Sequence, residues 1–560
     1  MRAARGWLKA AAAAGVALAV GPQTQGCARG RGARSVAGVR GDGRDETVGH
    51  HGRGGSAGRV GPHGVVDPVD GRDGRDGRDG VDELDRATTW TPTPLSGYRA
   101  DFDLRWRGHL AGRAREELIA GIRGGYRFSR RESWRVARGG SVLEWETEIV
   151  IDADRELRGE RVWLYRDRRL RGSARRARAG WTIEVPGESV RGAPAAAELV
   201  ELVPLRLAMR REARWAGPVL LAGFELAVAR LTVEPDSLPG ARAPRRRVVL
   251  SGPGGRIESR VQLRADGTLD SEAGPDASQV RVAGADPRDA PGEPPPGEAP
   301  PDLVALGAIP VSGRPPRRRE RGSRVAIAIA IEPERGAAGA RRLALAPPPD
   351  LPGQRVRAAP AGWLVELGVP APPAARAAAP REPAPRMPPR PGATRAWPPP
   401  AIPDPVPDPA LRALADRVAA RAGAAPLDQL RALARYTAVS IDGDLSRGAV
   451  TAAGEVLAAG RADCVGHAAL FSALARARGF DLRLVTGYRL DGGVLARHMW
   501  AVVAVGGALV AIDPTRGEAP AAPGRLLGLA VHGSAPAEIA LAAELAFAGL
   551  SGARARYAAE

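Results

Sequence analysis

Lysine is almost missing from this chain: Lys9 is the only one, and there is no asparagine at all. Arginine, alanine, glycine and proline take their place, which reads as a bias of the coding genome and not as selection for a partner. The net charge of +19 is therefore weak evidence for nucleic-acid binding. The arginines are spread through many segments, and the sequence has neither zinc-finger spacing nor an RNA-binding aromatic motif, so no nucleic-acid partner is expected. Aromatic residues make up only 4%, against 71 glycines and 51 prolines in 560 residues. Parts of the chain are not expected to pack. The absence of an HExxH helix or similar ligand cluster argues against a metalloprotease, and neither a metal nor a cofactor is expected.

Beyond the N-terminus no run of 18 apolar residues occurs, so no membrane-spanning helix is expected in the mature protein. The N-terminus, MRAARGWLKAAAAAGVALAVGPQTQGC, has the positive start (Arg2, Arg5, Lys9) and short apolar stretch of an export leader. Thr24-Gln25-Gly26-Cys27 resembles the lipoprotein cleavage site of bacteria, in which Cys27 would carry lipid; cleavage after Ala28 would discard it instead. Either way an exported protein is expected, periplasmic or on the outer surface, with or without a lipid anchor. Lys9 leaves with the leader, so the mature chain offers no lysine amine for crosslinking to itself. Cysteine is scarce: only Cys27 and Cys464 occur. Once Cys27 is lipidated or removed, Cys464 has no disulfide partner in its own chain, and its thiol is either buried and inert or reactive.

What is present falls into segments. After the leader (1–28), residues 29–87 read as a Gly/Arg/Asp tether containing GRDGRDGRDG. Residues 88–268 alternate with period two: YRADFDLRWR puts Phe102, Leu104 and Trp106 on one face, and LEWETEIVID puts Leu143, Trp145, Thr147, Ile149 and Ile151 on one side. A β-rich domain, sandwich or half-barrel, is expected, with its tryptophans in the core. An acidic Pro-rich linker (269–302), a small β segment (303–370) and a Pro/Ala-rich linker (371–407) follow. Helical spacing begins at Asp408, an N-cap with Pro409 first inside. Residues 408–560 read as a compact α+β domain that contains Cys464.

Cys464 opens an apolar helix that Gly479 stops. Backbone N–H groups and the positive end of the helix dipole gather there, a setting that can lower a thiol's pKa. Downstream, RHMWAVVAVGGALVAIDPT carries two alternating runs around Gly506-Gly507, a strong hairpin signal. If those glycines are the two loop residues, Val505 faces Ala508, Asp513 faces Trp500, and His498 lies diagonal to Asp513 on the same face, within reach of a hydrogen bond. A carboxylate that fixes an imidazole, whose other nitrogen serves a nucleophile, is the logic of nucleophilic acyl transfer. His467, one turn after Cys464, is the competing base, with no carboxylate to orient it.

These pieces, AAGEVLAAGRADCVGHAALFSALARARGFDLRLVTGYRL, RHMW and AIDPT, resemble the transglutaminase-like superfamily over about residues 411–535. The resemblance implies a papain-like core with a cysteine helix against antiparallel sheet, and a triad of Cys464 (nucleophile), His498 (base) and Asp513 (orienting carboxylate). It implies a peptide, protein or murein substrate and hydrolysis or transamidation of amide carbonyls. Many bacterial members have Gly-Asp-Cys where this chain has Ala462-Asp463-Cys464, and Val465 replaces the tryptophan of animal crosslinking enzymes, so calcium dependence and protein crosslinking are not carried over. Two alternatives stand beside it: a non-catalytic interaction module of the cell envelope, and a murein- or protein-cleaving cysteine peptidase with the same triad.

Overall fold

The structure, a computed structural model, describes residues 97–558 with interruptions, the longest at 237–244, 283–298, 316–326, 341–347, 369–399 and 446–451. The leader with Cys27, the tether and most of the Pro/Ala-rich linker expected from the sequence lie outside the described residues. Residues 92–560 form one unit. No helix of the described residues is long and apolar enough to cross a membrane.

Residues 98–281 form a single continuous sheet of fifteen strands. The chain meanders outward from strand Tyr98–Trp106 to Arg191–Ala193, then returns from Glu198–Leu199 to Ala277–Arg281. The first strand pairs with both neighbours: Phe102 faces Ala114 on one side and Arg281 on the other. The alternation in the sequence explains the faces. Phe102, Leu104 and Trp106 are buried, as are Trp134, Trp145, Ile149 and Ile151. On the wet face the many arginines sit across from carboxylates, as in Arg115–Asp101, Arg127–Asp152, Arg131–Glu148 and Arg135–Glu144. Such exposed rungs each contribute at most about 1 kcal/mol, but they account for much of the arginine without invoking a partner.

Two strands run where an acidic linker is expected. Leu269–Ala273 and Ala277–Arg281 are integral to the sheet, the second closing it against the first strand. Buried Ser271, Glu272 and Gln279 stand among the apolar Leu269, Ala273 and Ala277, which hides the alternation. Glu272 accepts from Gln279 Nε2 at 3.1 Å, and Gln279 Oε1 in turn accepts from buried Arg130 at 2.9 Å. Arg130 also binds Glu116 at 2.7 Å, so a fully buried polar belt crosses the interior. The linker expectation thus fails over residues 269–281.

The second sheet has nine strands, in the order 354–359, 362–367, 327–333, 553–557, 309–312, 494–505, 482–491 and 526–532, with 508–512 paired to 494–505. Strands from the segment 303–370 therefore complete the sheet of the C-terminal segment. Asp408 caps helix Pro409–Ala420 by accepting from Leu411 N–H at 2.8 Å, and Pro426–Ser440 follows as a second helix. The cysteine helix, Cys464–Ala477, ends before Gly479, whose φ of 81° is the left-handed conformation glycine adopts without strain.

Helix Pro536–Ala548 lies between the two sheets and is buried all round. Leu541, Leu545 and Phe547 share one core with Phe102, Trp106 and Ile257 of the first sheet and Tyr488 of the second. Gly252 of the first sheet approaches so closely that a Cβ there would meet Leu541 Cδ2 and Leu545 Cδ1 at 3.2 Å. Polar contacts seal the same seam. Arg107 binds Asp276 at 2.7 Å, and Arg497 pairs with Asp276 at 3.5 Å while its guanidinium lies 4.7 Å from the Phe547 ring centroid.

Glu544 is buried on this helix, and burial pushes its carboxyl up to about 8; Arg497 opposes and Asp276 adds to the shift. The folded state keeps a proton that the unfolded chain releases near its ordinary value of 4.5. Stability is therefore lost as pH rises from there through 8. Glu544→Gln should match the parent near pH 5 and exceed its stability by on the order of 2 kcal/mol at pH 8.5. Thermal unfolding across that range checks this; a difference independent of pH would refute it.

Candidate active site

Two glycine pairs set the register of strand Val494–Val505. Gly506 and Gly507 have φ of 58° and 81°, both left-handed, as a two-residue hairpin loop requires. The pairs run from Val505↔Ala508 to Ala501↔Ile512. Gly492 and Gly493, at 57° and 82°, turn the other end, so Asp491 faces Val494 and Gly487 faces His498. Gly487 admits no side chain: a Cβ there would lie 2.0 Å from the Leu527 carbonyl oxygen.

Past Ile512 the chain turns into a tight loop. Asp513 N–H donates to Glu518 O at 2.9 Å, and Glu518 N–H donates back to Asp513 O at 3.0 Å. This holds Asp513 beside His498, with Nε2 and Oδ2 2.9 Å apart. The ring stacks on Trp500, two residues along the same face, at 6.2 Å between centroids. His498 Nδ1 makes no hydrogen bond among the described residues. Asp513 is fully buried, and burial favours its neutral form. The His498 ring and the Arg489 guanidinium outweigh that and hold the carboxyl below its ordinary range.

Cys464 reaches the same strand through a gap in its edge. On that side Val494 and Leu495 pair with strand Ile309–Ser312, and Ala501–Val505 pair with Ala508–Ile512. Between them the edge is open to the head of the cysteine helix, and the Met499 backbone hydrogen-bonds the sulfur. Gly466 in the first turn packs the helix head against the segment before it: a Cβ there would lie 2.5 Å from the Ala462 Cβ. The structure thus places His498 against Asp513 and Cys464 against the residue next to His498. Asp513 is near enough for its charge to act on the sulfur.

The electrostatics at the sulfur differ from the expectation of a lowered pKa. Burial pushes the Cys464 thiol well above its ordinary range, and the Asp463 carboxylate pushes the same way. The Met499 hydrogen bond and Arg138 pull against them. Asp463 is the N-cap: its Oδ1 accepts from Val465 N–H at 3.0 Å and Gly466 N–H at 3.1 Å. Those donors are the ones a thiolate would have used, and the capping charge offsets the helix dipole. Burial pushes Asp463 itself up to about 6, against Arg138 and the two N–H groups. Arg138 comes from the first sheet, at the tip of the hairpin joining Tyr126–Arg138 to Ser141–Ala153. It is buried, with Nη2 3.4 Å from Asp463 Oδ2.

His467 is not placed to act as the competing base. Its Nδ1 lies 2.7 Å from Asp463 O and its Nε2 3.1 Å from Ile441 O, so both nitrogens face carbonyl acceptors. Arg489 is a site residue the sequence reading missed. It sits on strand Leu482–Asp491 with Nη1 2.5 Å from Asp513 Oδ2 and Nη2 3.3 Å from Glu518 Oε1. A signal was available. Gly492-Gly493, as a two-residue loop like Gly506-Gly507, places Arg489 opposite Ala496, diagonal to His498. No group of three or more His, Cys, Asp or Glu residues able to hold a metal occurs among the described residues.

Residues 412–514 match the family model of the Transglutaminase-like superfamily, and the chain therefore carries a domain of that superfamily in its C-terminal part. Members are in general cysteine hydrolases or transferases, and some are non-catalytic. No curated protein matches the chain. Among solved structures, a β-barrel-like protein of a domain of unknown function from Brucella abortus matches with 16% identity, covering 34% of this chain and 96% of its own, at a TM-score of 0.26. At that score the likeness carries no argument.

Asp463→Asn keeps a capping side chain but removes the charge that opposes the thiolate. Carboxamidomethylation of Cys464 at pH 8, followed by mass spectrometry, should be about three- to tenfold faster in this variant. An unchanged or slower rate would remove Asp463 from the account of the raised thiol.

Proposed function

We propose that the protein is an exported cysteine acyl-transfer enzyme acting on amide or peptide carbonyls, with Cys464, His498 and Asp513 as its triad. The observation that carries this is the Nε2–Oδ2 contact of 2.9 Å between His498 and Asp513. It is made beside a helix-start cysteine that reaches the same strand. A carboxylate on Nε2 fixes the imidazole tautomer and leaves Nδ1 as the proton acceptor.

The steps follow from the groups present. His498 Nδ1 takes the thiol proton as Cys464 Sγ bonds to the substrate carbonyl carbon, and the carbonyl π pair moves to oxygen. The backbone N–H of Cys464 is the default donor to that oxyanion. Collapse of the tetrahedral species breaks the C–N bond. His498 gives its proton to the leaving amine, and a thioester remains on Cys464. Water or a second amine then attacks the thioester and loses a proton to His498. The C–S bond breaks, and the thiolate is reprotonated as an acid or a new amide departs. Burial favours the neutral thiol, so the sulfur attacks only as His498 takes its proton. A peptide, protein or murein substrate is proposed, outside the cytoplasmic membrane as the leader-like N-terminus suggests.

One observation favours the non-catalytic module instead: Cys464 is only 4% exposed. The two readings part on one experiment. Glutamine-amide, peptide and murein substrates are offered to the full-length protein and to Cys464→Ala and His498→Ala. The enzyme reading expects turnover that falls by at least about a thousandfold in either variant, together with slower alkylation of Cys464 in His498→Ala. No turnover of any substrate class, with alkylation unchanged by His498→Ala, would leave the interaction module.

A further inference from the structure

The Asp513 carboxylate is shared. Its Oδ1 accepts from Thr515 N–H at 3.2 Å, which turns that oxygen toward the loop. Its Oδ2 receives both His498 Nε2 and Arg489 Nη1. Arg489 is in turn held by Glu518, whose Oε1 and Oε2 lie 3.3 and 3.5 Å from its two terminal nitrogens. Glu518 is fixed by the reciprocal backbone bonds to Asp513 and by Ala522 N–H on Oε2 at 2.9 Å. The result is an unbroken chain of imidazole, carboxylate, guanidinium and carboxylate.

Packing alone does not explain this arginine. It is nearly fully buried, and its Nε has no hydrogen-bond partner among the described residues. A buried cation kept with one donor unused is costly where an apolar side chain would fill a strand. What the guanidinium does engage is the oxygen that the imidazole uses.

We propose that Arg489 is a positioning residue of the cysteine site. With Glu518 it sets how firmly the Asp513 carboxylate, turned by Thr515 N–H, holds an imidazolium. The proposal deepens the enzyme reading and rests on it for its catalytic meaning. A cation on Oδ2 competes with the imidazolium for the same negative charge, so it keeps the base able to give up its proton. Glu518 returns part of that charge. Removing the cation should let the ring hold its proton to higher pH, and removing Glu518's charge should do the reverse. The other groups that bear on this cluster are Arg516, from the loop and paired to Asp491, and Cys464, Asp463 and Arg138 at the helix head.

The test is the pH at which the His498 ring resonances move in full-length protein, observed by NMR in Arg489→Met, Arg489→Lys and Glu518→Gln. Arg489→Met should raise it, Glu518→Gln should lower it, and Arg489→Lys should stay near the parent. The acid limb of Cys464 alkylation should follow the same order. A role in folding alone would leave the ring titration unmoved or shift Arg489→Met and Glu518→Gln the same way, and either result overturns the proposal. Should Arg489→Met fail to fold, the lysine and glutamine variants still decide. The NMR readout does not require turnover. Opposite shifts without a triad-dependent reaction would therefore sink the enzyme reading and spare this one, and the converse result would separate them the other way.

Discussion

A strand closed at both ends by two-residue glycine turns has no freedom of register. Gly492-Gly493 and Gly506-Gly507 pin Val494–Val505 between its neighbours, and a slip of one residue would send every side chain to the opposite face. His498 meets Asp513 because of the second turn and Arg489 shares that carboxylate because of the first. The gap left between the two short partners on the other edge is what lets a helix end approach the backbone at Met499. The chemistry proposed for the site depends on this one constraint more than on any single contact within it.

Around that strand the charges oppose one another. The cysteine sits at the positive end of a helix, yet the capping carboxylate of Asp463 occupies the donors and offsets the dipole. Arg138 then softens Asp463 from outside. The same pattern recurs at Asp513, where burial is overcome by two cationic partners, one of them tied to Glu518. Neither acid is left to a single partner, so the ionisation of each is set by a balance of large terms. That is why the thiol's state could not be inferred from its position in the helix.

The hairpin and its diagonal pair were legible because they depend on sequence-local turns and on period-two geometry. Phe102, Leu104 and Trp106 were legible for the same reason. Leu269–Ala273 and Ala277–Arg281 were not, because Glu272 and Gln279 are buried in a polar chain that reaches Arg130 through Gln279, and so imitate a polar linker. Arg138 lies 325 residues from Asp463, and nothing in local pattern relates them. The chain's arginine surplus also concealed it, since one buried guanidinium looks like the dozens that line a wet face. Arg489 was hidden only by not applying to one glycine pair the rule already applied to the other.

The helix Pro536–Ala548 makes the two sheets inseparable in a particular sense. The second sheet takes strands from both sides of residues 369–399, and the core beneath it includes Phe102, Trp106 and Ile257 from the first. A single proteolytic cut within 369–399 would therefore not release a catalytic fragment. It would yield two polypeptides that remain associated as a nicked protein, each incomplete without the other.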